Sequence, residues 1–205
     1  MVKVKVCGIT RVDDALLASD LGASAVGFVF WPRSPRYLAP AEAREIAARL
    51  PGDVAPVGVF VDPAADEVRQ VVEEVGLAAV QLHGDEPPAF CRSLPYRVIK
   101  AVGVDGADAT RAGAAAVPEE ATVLLDARDP ERRGGTGRTV DWEIAAGIAT
   151  ERRVFLAGGL RAANARAAIH AVRPYGLDVS SGVESAPGRK DPALLRAFFD
   201  EVARA

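Results

Sequence analysis

A (β/α)8 TIM barrel, an α/β fold, is the architecture this sequence predicts, and three observations predict it. Short valine-rich apolar runs alternate with segments of helical period, eight such pairs can be counted, and no long linker interrupts them. An open doubly wound sheet is the alternative, but so regular an alternation closes better into a barrel. At 205 residues the chain is near the lower end for eight units yet sufficient for one sizeable core, so residues 1–205 are read as one domain.

The expected strands are Val2 to Cys7, Ala25 to Phe30, Pro56 to Val61, Ala79 to His83, Arg97 to Val102, Thr122 to Ala127, Val154 to Ala157 and Leu177 to Ser180. Between them Asp13 to Leu21, Ala41 to Leu50, Ala64 to Val75, Pro88 to Leu94, Ala107 to Ala116, Trp142 to Ile148, Ala162 to Val172 and Pro192 to Ala203 read as helices. Thr10, three residues before Asp13, is expected to cap the first helix. Gly22 and Gly76 mark helix ends, and Pro40, Pro63 and Pro192 mark helix starts.

Composition removes several function classes. Hydrophobic residues at 49% and charged residues at 26% are a globular balance, neither disordered nor fibrous. A net charge of -3, with arginines interspersed among acids, offers no basic field for nucleic acid. No apolar run reaches the ~18 residues of a membrane helix, and the chain opens directly on an alternating strand, so a cytoplasmic protein is expected. Cys7 and Cys91 are too few for a disulfide framework and lack the spacing of a zinc site. Asn164 is the only asparagine and Met1 the only methionine, which fits a heat-adapted source or a GC-rich genome equally well; a homodimer is compatible with the former.

In such a barrel, reactive side chains gather where strands end and the following loops begin. The first strand ends in Cys7, where backbone N–H groups of the next helix favour a thiolate; a buried cysteine acting as a small hydrophobe is the competing reading. The sixth ends its apolar run in Asp126, a carboxyl suited to general acid work if partly desolvated, or else a cap or loop ion pair. On the fourth strand Gln81 and His83 share a face and both point into the mouth, with no cluster of metal ligands around them.

The stiff loop Trp31-Pro32-Arg33-Ser34-Pro35-Arg36 carries two guanidinium groups over the mouth, suited to a carboxylate, and spacing alone does not choose between Arg33 and Arg36. Glycine-rich turns around Gly158 and Gly159, and around Ser180, Ser181 and Gly182, follow the last two strands, the usual phosphate corner of such a barrel. A phosphorylated small molecule is therefore the expected substrate. The segment from Arg132 to Gly137, including Gly135, reads as a mobile lid or as a plain linker.

Lys5-Val6-Cys7-Gly8-Ile9-Thr10, Gly27-Phe28-Val29-Phe30, Ser34-Pro35-Arg36, Gln81-Leu82-His83-Gly84, Gly134-Gly135-Thr136-Gly137, Leu156-Ala157-Gly158-Gly159-Leu160 and Asp178-Val179-Ser180-Ser181-Gly182-Val183-Glu184 together resemble the phosphoribosylanthranilate isomerase family, in order and across almost the whole chain. The resemblance implies an Amadori rearrangement of N-(5-phosphoribosyl)anthranilate in tryptophan biosynthesis, without cofactor or metal. It implies Cys7 as the general base at sugar C2 and Asp126 as the acid that protonates the ring oxygen. It further implies Arg36 on the anthranilate carboxylate, phosphate held around Gly158, Gly159, Ser181 and Gly182, and His83 near the substrate without a chemical role. Val140 and Arg161 depart from what is frequent in the family, and their effects are expected on packing of the lid and of the seventh helix. The related isomerase of histidine biosynthesis is the alternative enzyme, but it resembles this chain less, having aspartate where Cys7 stands. A non-catalytic sugar-phosphate sensor is the alternative from another class.

Overall fold

Eight runs rich in valine, leucine and isoleucine form the strands because their side chains pack on both faces of a covered parallel sheet. In a computed structural model, which describes residues 2–127 and 140–205, they are β1 (Lys3–Cys7), β2 (Ala25–Val29), β3 (Ala55–Phe60), β4 (Ala79–Leu82), β5 (Val98–Val104), β6 (Thr122–Ala127), β7 (Val154–Leu156) and β8 (Gly176–Val179). Each pairs in parallel with its sequence neighbours, and β1 also pairs with β8, so the sheet closes on itself. The barrel expected from the sequence is the one observed.

Alternation along the strands divides the core in two. Val4, Val6, Phe28, Leu82, Val123, Leu125 and Leu177 join the cluster that packs with the helices, whereas Ala25, Val57, Ile99, Leu124 and Phe155 form a second cluster inside the barrel. Above it Cys7, Val29 and Val59 pack with Trp31 at the mouth. The helices are α1 (Val12–Asp20), α2 (Pro40–Ala47), α3 (Ala65–Val75), α4 (Pro88–Ser93), α5 (Ala107–Ala116), α6 (Trp142–Ala149), α7 (Ala162–Val172) and α8 (Pro192–Ala203). Among the described residues none is long and apolar enough to cross a membrane.

Local chemistry sets the helix limits. Pro40 and Pro192 occupy first turns, where a missing N–H is harmless. Asp191 caps α8 by accepting from Ala193 N (2.8 Å) and Leu194 N (3.0 Å), and Asp141 caps α6 in the same way. Gly76 ends α3 with φ of 75°, the left-handed turn that glycine adopts without strain. Three differences from the sequence reading have physical causes. Thr10 does not cap α1: the position belongs to Arg11, and the Thr10 hydroxyl instead donates to the Gly188 carbonyl across the mouth. The second helix stops at Ala47 rather than Leu50, its last residues tightening into turns with Arg49 N donating to Ile46 O and Leu50 N to Ala47 O. After β8 the chain makes a 3-10 turn at Ser181–Val183 and a small hairpin, β9 (Glu184–Ala186) and β10 (Arg189–Lys190), which the sequence reading did not include.

One side chain outside the mouth secures a helix end. Arg152, following α6, donates through Nη1 to the carbonyls of Ala114 (3.1 Å) and Val117 (3.0 Å), and through Nη2 to those of Pro118 (2.8 Å) and Ala121 (3.2 Å). It thereby places a positive charge on the carbonyls at the C-terminus of α5 and beyond, of which Ala114 and Pro118 each also accept one backbone N–H. Arg152→Met is expected to cost about 2 kcal/mol, the scale of a charged hydrogen-bond cluster, and to lower the melting temperature by roughly 4–8 °C for a chain of this size. Thermal denaturation checks this, and turnover at 25 °C should be unchanged.

Candidate active site

Strand ends at the C-terminal rim surround a cavity of about 430 Å³. Cys7, Asp126, Arg36, Gln81 and His83 line it, as do Gly158, Gly159, Ser180 and Ser181, so nine of the residues singled out in the sequence converge on one space. Gly182 is not on the wall but lies against the Leu160 carbonyl, where any β-carbon would collide, and so lets the loops after β7 and β8 touch. Gly135, with the rest of the expected lid, lies outside the described residues.

Cys7 comes from β1 and Asp126 from β6, on different sides of the mouth. The Asp126 carboxylate accepts from Ala127 N at Oδ1 (2.8 Å), and its Oδ2 stands 3.3 Å from His83 Nε2. Gln81 Nε2 lies 2.9 Å from His83 Nδ1. Gln81 thus braces one ring nitrogen while the other faces Asp126. Gly158 explains how the carboxylate fits: its φ is 80°, and a β-carbon would stand 3.2 Å from Asp126 Oδ1 and 2.6 Å from Val140 Cγ2. Gly159 follows with φ of 61°. Two successive left-handed glycines leave backbone N–H groups unshielded beside the start of α7, the geometry that receives an anion.

Four charged residues that the sequence reading did not assign to the site organise it. Lys5, fully buried and one strand period below Cys7, donates from Nζ to Asp178 Oδ1 at 2.9 Å. Lys5 and Asp178 are partners in the register of β1 on β8. Burial disfavours the ammonium, but the adjacent Asp178 and the Cys7 sulfur more than offset that and hold its pKa above the ordinary lysine value. Lys190 on β10 donates to the Cys7 carbonyl (2.6 Å), the Ser180 carbonyl (3.3 Å) and Glu184 Oε1 (2.8 Å). Glu184 in turn receives Arg36, with Nε at 2.9 Å from Oε1 and Nη2 at 2.7 Å from Oε2. The arginine expected to meet a substrate carboxylate is thus already committed on one edge, leaving Nη1 without a hydrogen bond to any described residue. Arg36 reaches this position across Gly8, whose φ is 73° and whose bare Cα gives room for the arginine Cδ.

The thiol departs from the sequence expectation. Burial raises the Cys7 pKa; Lys5 opposes this, Asp178 adds to it, Lys190 opposes it, and the net shift is upward. Local N–H groups do not hold a resting thiolate, because removal from water outweighs them. A signal for Lys5 was present in the period-two pattern Lys3-Val4-Lys5-Val6-Cys7, which puts a lysine inside the barrel where it needs a counter-charge. Asp178, interrupting the apolar run Leu177-Asp178-Val179, is that counter-charge. Glu184 and Lys190 lie in the short hairpin, and no local pattern marks them.

The comparisons agree with this geometry. The family model described as N-(5'phosphoribosyl)anthranilate (PRA) isomerase matches residues 4–201. The chain is 49% identical to N-(5'-phosphoribosyl)anthranilate isomerase of Pelobacter propionicus over 97% of its own length and 94% of that protein. It is similar to the crystal structure of phosphoribosyl anthranilate isomerase from Thermotoga maritima, with a TM-score of 0.93, 43% identity and full coverage of both chains. A further crystal structure, of phosphoribosyl anthranilate isomerase in complex with reduced 1-(o-carboxyphenylamino)-1-deoxyribulose 5-phosphate, gives a TM-score of 0.89 at 41% identity, also with full coverage of both chains.

Glu184 carries a pH-dependent share of stability. Burial raises its pKa, but the bonds from Arg36 and Lys190 outweigh burial and leave it below the ordinary glutamate value. The ionised form is therefore favoured by folding, and its contribution is complete above the unfolded-state pKa and lost as pH falls through the native one. Glu184→Gln should destabilise the protein at pH 7 by about 3 kcal/mol, since two cations lose their counter-charge. Its chemical denaturation curve should also change less than wild type between pH 6 and 3.

Proposed function

Because this chain belongs to the N-(5'-phosphoribosyl)anthranilate isomerase family, we propose that it isomerises N-(5'-phosphoribosyl)anthranilate to the 1-deoxyribulose 5-phosphate in tryptophan biosynthesis, as a cytoplasmic enzyme without cofactor. Residues 1–205 act as one catalytic barrel. The observation that carries this reading is that Cys7 and Asp126 line one cavity from different sides, together with a glycine-lined anion corner beside the acid.

The reaction needs two proton transfers in sequence. The Asp126 carboxyl gives its proton to the furanose ring oxygen; the C1–O bond breaks and the anilino nitrogen lone pair closes a Schiff-base cation. That cation acidifies the C2–H, because the electrons of the C–H bond can flow into the C=N group. Cys7 as thiolate takes the C2 proton, giving an enolamine that tautomerises to the ketone. No atom is gained or lost overall.

Binding positions the sugar between these groups. N–H groups at Gly158 and Gly159, with the hydroxyls of Ser180 and Ser181, receive the phosphate, and Gly182 keeps their loops together. The free edge of Arg36, aimed by Glu184, takes the anthranilate carboxylate. Gln81 and His83 line the sugar subsite, with His83 beside Asp126 to orient its carboxyl.

Purified protein mixed with substrate should abolish the anthranilate-ribosyl fluorescence. Cys7→Ala and Asp126→Asn should each lower kcat by at least about 1,000-fold, as loss of an essential acid or base does. Affinity for the reduced product analogue should change little, the pattern of an interaction made only in the transition state. A Cys7→Ala enzyme working at full speed would overturn the mechanism.

A further inference from the structure

The buried pair below the thiol has no place in the two proton transfers, yet its geometry is directed at one of the groups that makes them. Lys5 and Cys7 point the same way from β1, two residues apart. Both end over the bare Cα of Gly27 on β2: a β-carbon there would stand 3.0 Å from Cys7 Sγ and 3.1 Å from Lys5 Nζ. The ammonium donates to Asp178 at 2.9 Å, and its charge beside the sulfur favours the anion. Glycine at this strand position is what allows cation and thiol to share one pocket.

Building on the proposed role of Cys7 as base, we propose that Lys5, anchored by Asp178, is a positioning residue that stabilises the anionic, proton-accepting form of the Cys7 sulfur against its burial. Among the described residues the other cations near the sulfur, Lys190 and Arg36, both bond to Glu184. Lys190 spends its three N–H donors on the Cys7 carbonyl, the Ser180 carbonyl and Glu184. Arg36 turns two donors to Glu184. Asp126 and His83 act on Asp178 from across the mouth rather than on the thiol. Lys5 is the cation that shares the space over Gly27 with the sulfur, and Asp178 fixes where its ammonium sits.

A lysine alone in this position would fail. Fully buried without a counter-charge, an ammonium loses its proton, and the neutral amine gives a thiolate little support. Asp178 therefore keeps Lys5 charged, although its own negative charge works against the thiolate. Lys5 acts on the sulfur more strongly than Asp178 does, so the pair together still favours the anion.

The test reads the thiolate directly. Iodoacetamide alkylates only the anionic sulfur, forming the S–C bond as iodide leaves, so the pH profile of modification follows ionisation. Alkylation of Cys7, followed by mass in a Cys91→Ser background, should titrate at a pH about one unit or more higher in Lys5→Met than in the parent, as expected when an adjacent cation is removed. At pH 8 it should be about tenfold slower. Turnover should fall in kcat, with affinity for the reduced product analogue retained. If Lys5→Met leaves Asp178 unpaired and fails to fold, Lys5→Met/Asp178→Asn removes both charges and should move the profile in the same direction by a smaller amount. A profile that stays where it is in a folded variant overturns the proposal, even if turnover falls, because the lysine would then be structural only. Failure of the base assignment is read separately, from turnover surviving in Cys7→Ala.

Discussion

The inside of a closed barrel of eight parallel strands has no room for bulk water, and that exclusion dictates which side chains can point inward and with what company. Lower in the barrel the solution is apolar: Ala25, Val57, Ile99, Leu124 and Phe155 fill it. Toward the mouth Lys5, Gln81, Asp126 and Asp178 point inward and are nearly or fully buried. An isolated charge there would shed or gain a proton, so charges must come in pairs close enough to bond. Strand order meets this demand, because β1 lies beside β8 and their register brings Lys5 opposite Asp178. Two residues 173 positions apart become one electrostatic unit only when the barrel closes.

The same reasoning extends to the loops. Arg36 follows β2, while Glu184 and Lys190 belong to the hairpin after β8, and their bonds join two loops on either side of β1. The Thr10 hydroxyl on the Gly188 carbonyl and the Lys190 ammonium on the Cys7 carbonyl add the loop after β1 to the assembly. Three loops are thus bound by charge-assisted and short hydrogen bonds beside the thiol. Glycines at positions 8, 158 and 182 are the steric counterpart, each removing a side chain where backbone or a neighbouring group must approach closely. Rigidity at this rim follows from covalent geometry and electrostatics together.

What could be read from the chain without coordinates follows from the range of the interactions. Strands and helices are local, set by periodicity and by residues such as Gly76, Pro192 and the valine runs, and they fell within a few residues of their observed limits. Cys7 and Asp126 were legible because a polar residue at the end of an apolar strand is conspicuous in one dimension. Lys5 sat inside a strand pattern and looked like ordinary alternation; its meaning depends on Asp178, which sequence distance hides. Thr10 resembled a helix cap, yet its hydroxyl found Gly188, a partner that exists only once the last loop has folded over the first. Glu184 appeared in a motif but its bond to Arg36 did not, because no periodicity links positions so far apart.

In the proposed reaction the buried thiol faces opposing requirements. Removal from water raises its pKa, which lowers the fraction present as thiolate while making each thiolate a stronger acceptor of a carbon-bound proton. Solvating the sulfur would increase its ionised fraction but weaken it as a base and admit water to a Schiff-base cation that water can attack. A fixed ammonium resolves the conflict differently, because it stabilises the anion without filling the mouth with solvent. Its stabilisation must also stay partial, since a cation paired too tightly with sulfur would remove the basicity that proton abstraction needs. Asp178 supplies that moderation: the carboxylate that keeps Lys5 charged also opposes the thiolate, so the pair sets the sulfur between inert thiol and inert ion pair.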